Sequence, residues 1–137
     1  MHKGEIAFPG GAFSEQDKSL RVTAIRETRE EIGLIIKQKD ILGSLQVVRT
    51  LTSNFNIIPF VTLQKKILET RILINEVQRI VDAPLFDLLN TLEIDLGHPP
   101  MSKESLYRFT YENEIIWGAT ARILKQLYDC LTLKHDF

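Results

Sequence analysis

RETREEIG, residues 26–33, places Glu27, Glu30 and Glu31 in the last turns of a helix that Gly33 is positioned to stop. That end carries the negative pole of the helix macrodipole, where an anion is unfavourable by roughly 0.3–1 kcal/mol. Glu27 also meets Glu30 and Glu31 at i,i+3 and i,i+4, and like charges at those spacings destabilise by roughly 0.2–0.5 kcal/mol per pair. Arg26 and Glu30 form an opposite-charge i,i+4 pair, in the weaker order with the base first, which offsets only part of this. Two readings compete. One is a solvated face, since exposed charges lose little in water; the other is a site for a hard divalent cation, which takes oxygen ligands and reverses the sign of the penalty.

Upstream, Gly4–Phe8 alternate and include β-formers, so a strand is expected there, broken into a loop by Pro9-Gly10-Gly11. The helical pattern runs from Lys18 to Ile32, with Asp17 as N-cap, or Ser14 with Asp17 as a variant capping box. On a helical wheel Val22, Ile25 and Ile32 share a face with Thr28, and the three glutamates lie nearly opposite. Glycines let backbone approach a ligand closely. A strand, a Gly-Gly loop and an acidic helix in succession shift the balance toward the cation without deciding it, since a Gly-Gly pair is more often just a turn.

Downstream, residues 40–50 and 56–64 read as strands joined by the polar loop LTSNF, whose Phe55 is either core or a cover for a nucleotide base. Residues 69–90 suggest a short strand and then a short helix near Pro84–Leu89. SLYRFTYENEIIWG alternates on both sides of ENE and reads as a hairpin, and Ala119, Ile123, Leu127 and Leu131 have helical spacing. Trp117, Phe8, Phe60 and Phe109 read as core, as does Cys130. Arg21, Arg49, His98 and His135 read as surface groups. The order of elements favours an α/β or α+β layered domain.

The 137 residues suit one domain with a real core. A net charge of -1 argues against bulk nucleic-acid or anionic-membrane binding, so an anionic ligand must be held locally. One cysteine permits no intrachain disulfide, which suits a reducing cytoplasm. No apolar run reaches the ~18–20 residues that span a bilayer, and the first residues lack a secretory h-region. A cytoplasmic location is expected.

Taken together, GGAFSEQDKSLRVTAIRETREEIGL (10–34) resembles the Nudix box, in which a glycine precedes a glutamate, an Arg-Glu pair, a Glu-Glu pair and a final glycine. Gly11, Arg26, Glu27, Glu30, Glu31 and Gly33 fall in place. The family's first glutamate is Asp17 here, one residue further from Arg26 than usual. Both departures look like the coenzyme A diphosphatase branch, as do His2, GEIAFPGG (4–11), IIPFV (57–61), NEVQRIVDAPLFDLL (75–89) and IIWGATARIL (115–124).

The resemblance implies a single Nudix domain over residues 1–137, of α/β class: an α/β/α sandwich with a mixed sheet, lacking part of the usual N-terminal segment. It implies Mg²⁺ or Mn²⁺ held by Glu27, Glu30 and Glu31 with the Gly10 carbonyl, and Arg26 holding the carboxylates in place. Gly10, Gly11 and Phe55 are the expected substrate contacts. Asp17 either ligates through water or caps the helix, and Glu27 or Glu31 is the general base. Glu76, Glu104, Glu112 and Glu114 are candidates for a further acid, against a surface role for each. The partner implied is a small-molecule nucleotide: coenzyme A or acyl-CoA first, with ADP-ribose, NADH or another nucleotide as alternatives. A non-catalytic nucleotide-binding module is the third reading. A homodimer is expected to cover the shortened sheet.

Overall fold

The computed structural model describes residues 4–51, 53–66, 69–94 and 106–133, so His2, His98, Glu104 and His135 lie outside the described residues. The elements are α1 (Leu20–Ile32), a 3-10 turn (Gln38–Asp40), β1 (Ile41–Ser44), β2 (Val48–Arg49), β3 (Asn56–Ile57), β4 (Phe60–Thr62), α2 (Leu85–Leu89), β5 (Glu93–Ile94), β6 (Tyr107–Tyr111), β7 (Glu114–Ile116) and α3 (Gly118–Thr132). Every ladder among the described residues is antiparallel, whereas the resemblance implied a mixed sheet. The mixture of helices and sheets is that of an α/β fold. Contacts divide the chain into two compact units: a helix unit of Ala7–Leu45 and Ile58–Val81, and a hairpin unit of Met1–Ile6, Gln46–Ile57 and Asp82–Phe137.

In the helix unit, β1 pairs with β4, Ile41 opposite Thr62 and Ser44 opposite Phe60, with an irregularity between Ile41 and Gly43. The expected strand over 56–64 is interrupted here, because Pro59 has no N–H for a ladder; its carbonyl instead accepts from Leu45 N–H at 2.8 Å. No strand forms over 69–81 either. The N–H groups of Arg71 and Leu73 donate instead to the carbonyls of Ile32 and Glu31, both at 3.0 Å, which are among the last carbonyls of α1.

In the hairpin unit, β6 and β7 form the expected hairpin. Glu112 and Asn113 between them both take positive φ, 46° and 66°, as a two-residue turn of type I′ requires. β5 extends this sheet on the β6 side. Alternation turns Phe109 inward against Leu88 and Leu89 of α2, Ile116 of β7, and Ala121 and Leu124 of α3, and it is fully buried. The expected strand over 40–50 stops before Gln46, because the Gln126 side chain takes both backbone groups of that residue: Gln46 N–H donates to Oε1 at 2.8 Å and Nε2 donates to Gln46 O at 3.0 Å.

Four expectations fail on packing. Gly4–Phe8 forms no strand, since no described strand pairs with it; Ile6 O accepts instead from Thr120 Oγ1 at 3.0 Å. Cys130 is exposed rather than core, because it sits six residues, about 240° of helix, beyond the inward-facing Leu124. Trp117 precedes the first turn of α3 and is 55% exposed, and Phe8 follows the unpaired segment and is 48% exposed.

Candidate active site

The helix that carries the acids begins two residues later than its periodicity suggests. Ser19, in extended conformation, is the N-cap, and its Oγ accepts from Val22 N–H at 3.3 Å. Gly33 ends α1 as expected, with φ 70° and its N–H donating to Arg29 O at 2.9 Å.

Because Ser19 caps, Asp17 is released for another task. It is 5% exposed and receives a fork from Arg26: Nε donates to Oδ1 and Nη2 to Oδ2, each at 2.9 Å. Ser14 N–H and Thr23 Oγ1 also donate to Oδ2, both at 3.0 Å. Asp17 is thus neither cap nor free ligand but the anchor of Arg26. The Arg26 hydrogen bonds hold its carboxyl well below the usual carboxylate range, against the opposing effect of burial. Asp17 in turn keeps Arg26 firmly protonated.

The far side of the same guanidinium serves the acidic face. Nη1 donates to Glu27 Oε1 at 2.9 Å and to Glu30 Oε2 at 3.1 Å. Nη2 also reaches Ala12 O at 3.4 Å, so the glycine loop, the helix start and two glutamates are joined through one side chain. Lysine, with three donors on a point charge, has no such fork.

Glu31 is not held by Arg26. Its carboxylate accepts the Gly10 backbone N–H, which favours the charged form. Burial outweighs that bond, and with the nearby charges of Glu27, Glu76 and Glu30 it pushes the carboxyl up. Glu76 is therefore the downstream acid that the fold brings to the helix. Glu112 and Glu114 belong to the hairpin unit.

The donor set fits a hard cation in kind: carboxylate oxygens that repel one another, one with raised proton affinity. Among the described residues no three Asp, Glu, His or Cys side chains converge into a preformed cage. Mg²⁺ does not need one, since it is usually held by one or two carboxylates, waters and substrate phosphates.

Phe55 lies in the hairpin unit, 62% exposed, in a loop closed by Thr50 N–H to Phe55 O at 2.8 Å and Phe55 N–H to Thr50 Oγ1 at 2.9 Å. Arg49 is spent on the same loop, donating from Nε and Nη2 to Asn54 Oδ1. Arg21 lies over the Phe60 ring, 6.0 Å from its centroid.

A family model described as the NUDIX domain matches residues 1–87, which include the whole acidic helix and its glycine loop. The chain belongs to the Nudix family. Among curated proteins it is similar to an uncharacterized Nudix hydrolase NudL of Photorhabdus laumondii, 31% identical over 129 residues, covering 92% of this chain and 68% of that protein. The protein of the same name from Yersinia enterocolitica is 33% identical over 129 residues, covering 92% and 65%. That of Salmonella paratyphi B is 31% identical over 131 residues, covering 92% and 66%. The chain thus spans about two thirds of the length of these Nudix relatives. No solved structure matches it significantly. Nudix hydrolases act on diphosphate linkages in nucleoside-diphosphate derivatives and generally use divalent metal ions. No described helix is long and apolar enough to cross a membrane.

Proposed function

We propose that this chain hydrolyses the diphosphate linkage of coenzyme A or an acyl-CoA, giving adenosine 3′,5′-bisphosphate and the (acyl)phosphopantetheine. The observation that carries the reading is the Arg26 hub, which anchors on Asp17 and presents Glu27 and Glu30 beside an unclamped, partly buried Glu31. The choice of coenzyme A rests on the GEIAFPGG and IIPFV segments and the longer landmarks around residues 75–89 and 115–124.

Glu27, Glu30 and Glu31 would hold Mg²⁺ or Mn²⁺, with the Gly10 carbonyl as a further donor. A cation so held supplies charge neutralisation and Lewis-acid polarisation of a phosphoryl oxygen. Arg26 fixes Glu27 and Glu30 and stays charged throughout. Glu31 is the better general base of the two candidates, because Glu27 is tied to Arg26 Nη1 while Arg26 does not hold Glu31. Gly10 orients Glu31 through its N–H and, with Gly11, lets the loop backbone approach the substrate. The lone cysteine supports a reducing, cytoplasmic setting.

The test is incubation of purified protein with coenzyme A, ADP-ribose and NADH, each with Mg²⁺ or Mn²⁺. Coenzyme A should have the highest kcat/KM. Glu30→Gln and Glu31→Gln should each lower it by more than the roughly 10–100-fold typical of residues behind a metal ligand. Unchanged turnover in both variants rejects the site. Preference for ADP-ribose or NADH moves the substrate and keeps the chemistry, and tight nucleotide binding without metal-stimulated product release supports a binding module.

A further inference from the structure

Two adjacent glycines face the acidic helix, and the structure gives them different tasks. A Cβ added to Gly10 would meet nothing within 4 Å. One added to Gly11 would lie 2.5 Å from Oε1 and 2.8 Å from Oε2 of Glu27, far inside the roughly 3.5–4.0 Å optimum for non-bonded heavy atoms. The backbone at Gly11 does not explain the glycine. Positive φ belongs to Gly4, Gly33 and Gly118 among the described glycines, and Gly11 is not one of them. An L side chain is therefore barred at 11 by Glu27, not by φ/ψ.

Glu27 lies there because of its neighbour. Residues i and i+1 of a helix point about 100° apart and do not face each other, yet Glu27 Oε1 is 2.9 Å from Arg26 Nη1. To reach that donor the Glu27 side chain folds back over the glycine loop, where the same guanidinium touches Ala12 O. The carboxylate fills the space that a side chain at 11 would take.

We propose that Gly11 is a positioning residue for Glu27: its missing side chain is the space that lets Arg26 hold the Glu27 carboxylate on the acidic face. The inference rests on the reading of Glu27 as part of the active site. It predicts that Gly11→Ala folds normally, because the atom displaced is the tip of a flexible side chain, and that its effect is exerted only through Glu27.

Four measurements test this. Gly11→Ala should keep the thermal midpoint of the wild type, weaken Mn²⁺ binding by calorimetry without substrate, and lower kcat by roughly 10–100-fold, the scale for a disturbed outer-shell partner. Gly43→Ala, in β1 where a Cβ also meets nothing within 4 Å, should match the wild type in all three. In a Glu27→Gln background, Gly11→Ala should add no further loss, because the residue it acts through is already disabled. A crystal structure of Gly11→Ala should show the Glu27 carboxylate away from Arg26 Nη1. Wild-type Mn²⁺ affinity and kcat in Gly11→Ala, or a loss that repeats in full in the Glu27→Gln background with a lowered thermal midpoint, overturns the proposal. Should the wild type show no metal-stimulated hydrolysis, the proposed function fails, and the Glu27 position in the variant structure alone decides this inference: displaced supports it, unmoved overturns it.

Discussion

At the scale of single residues, Arg26 converts a repulsive row of carboxylates into an ordered one. Its fork on Asp17 is the buried half of the arrangement, and removing the Asp17 charge replaces two charge-assisted hydrogen bonds with weaker neutral ones. Asp17→Asn should therefore lower the melting temperature at neutral pH. Because the Asp17 carboxyl is depressed in the folded state, its contribution is complete above the ordinary aspartate value of about 3.9. It is lost as pH falls from there through the lower folded value. The melting-temperature gap between wild type and Asp17→Asn should thus be constant down to about pH 4 and narrow below it. A gap independent of pH into strong acid would show that the pair does not carry it. The glutamates, Arg26 and Gly33 were legible because helical spacing and a glycine stop are local signals. The role of Asp17 was not, since a bond to a side chain nine residues away depends on the path of an irregular loop.

At the scale of elements, the hairpin and the last helix were readable because alternation on both sides of ENE and a 3.6 period are strong patterns. Phe109, at the centre of that packing, should cost about 3–5 kcal/mol on substitution by alanine, measured by denaturant titration. A loss under ~1 kcal/mol would mean the β6–β7 sheet and α3 do not share a core. Within 40–50 and 56–64 the extended pattern forms strands only in part, as β1 and β2 and as β3 and β4. Pro59 was a visible warning, whereas the capture of Gln46 by Gln126 is a contact across 80 positions of chain that no local pattern contains. Cys130 and Trp117 are exposed although residue type suggests burial, Cys130 by its helix phase and Trp117 because it lies in extended conformation ahead of α3. The helical spacing of Ala119, Ile123, Leu127 and Leu131 already places Cys130 off the apolar face.

At the scale of the whole molecule, the buried apolar side chains among the described residues all belong to the hairpin unit. The helix unit leaves Phe13, Ile35, Leu42 and Leu63 each more than half exposed. One bond pattern ties distant parts of the sequence to the chemistry. Helix termini ordinarily fray, yet Ile32 O and Glu31 O are taken by Arg71 and Leu73, some forty residues on. Opening the end of the acidic helix therefore means peeling off a second stretch of chain as well. In deuterium exchange the amides of Arg71 and Leu73, though they lie outside any helix or strand, should be protected alongside Gly33, and the three should lose protection together. The acid-bearing turn is spliced to its neighbour like a rope end whipped with twine.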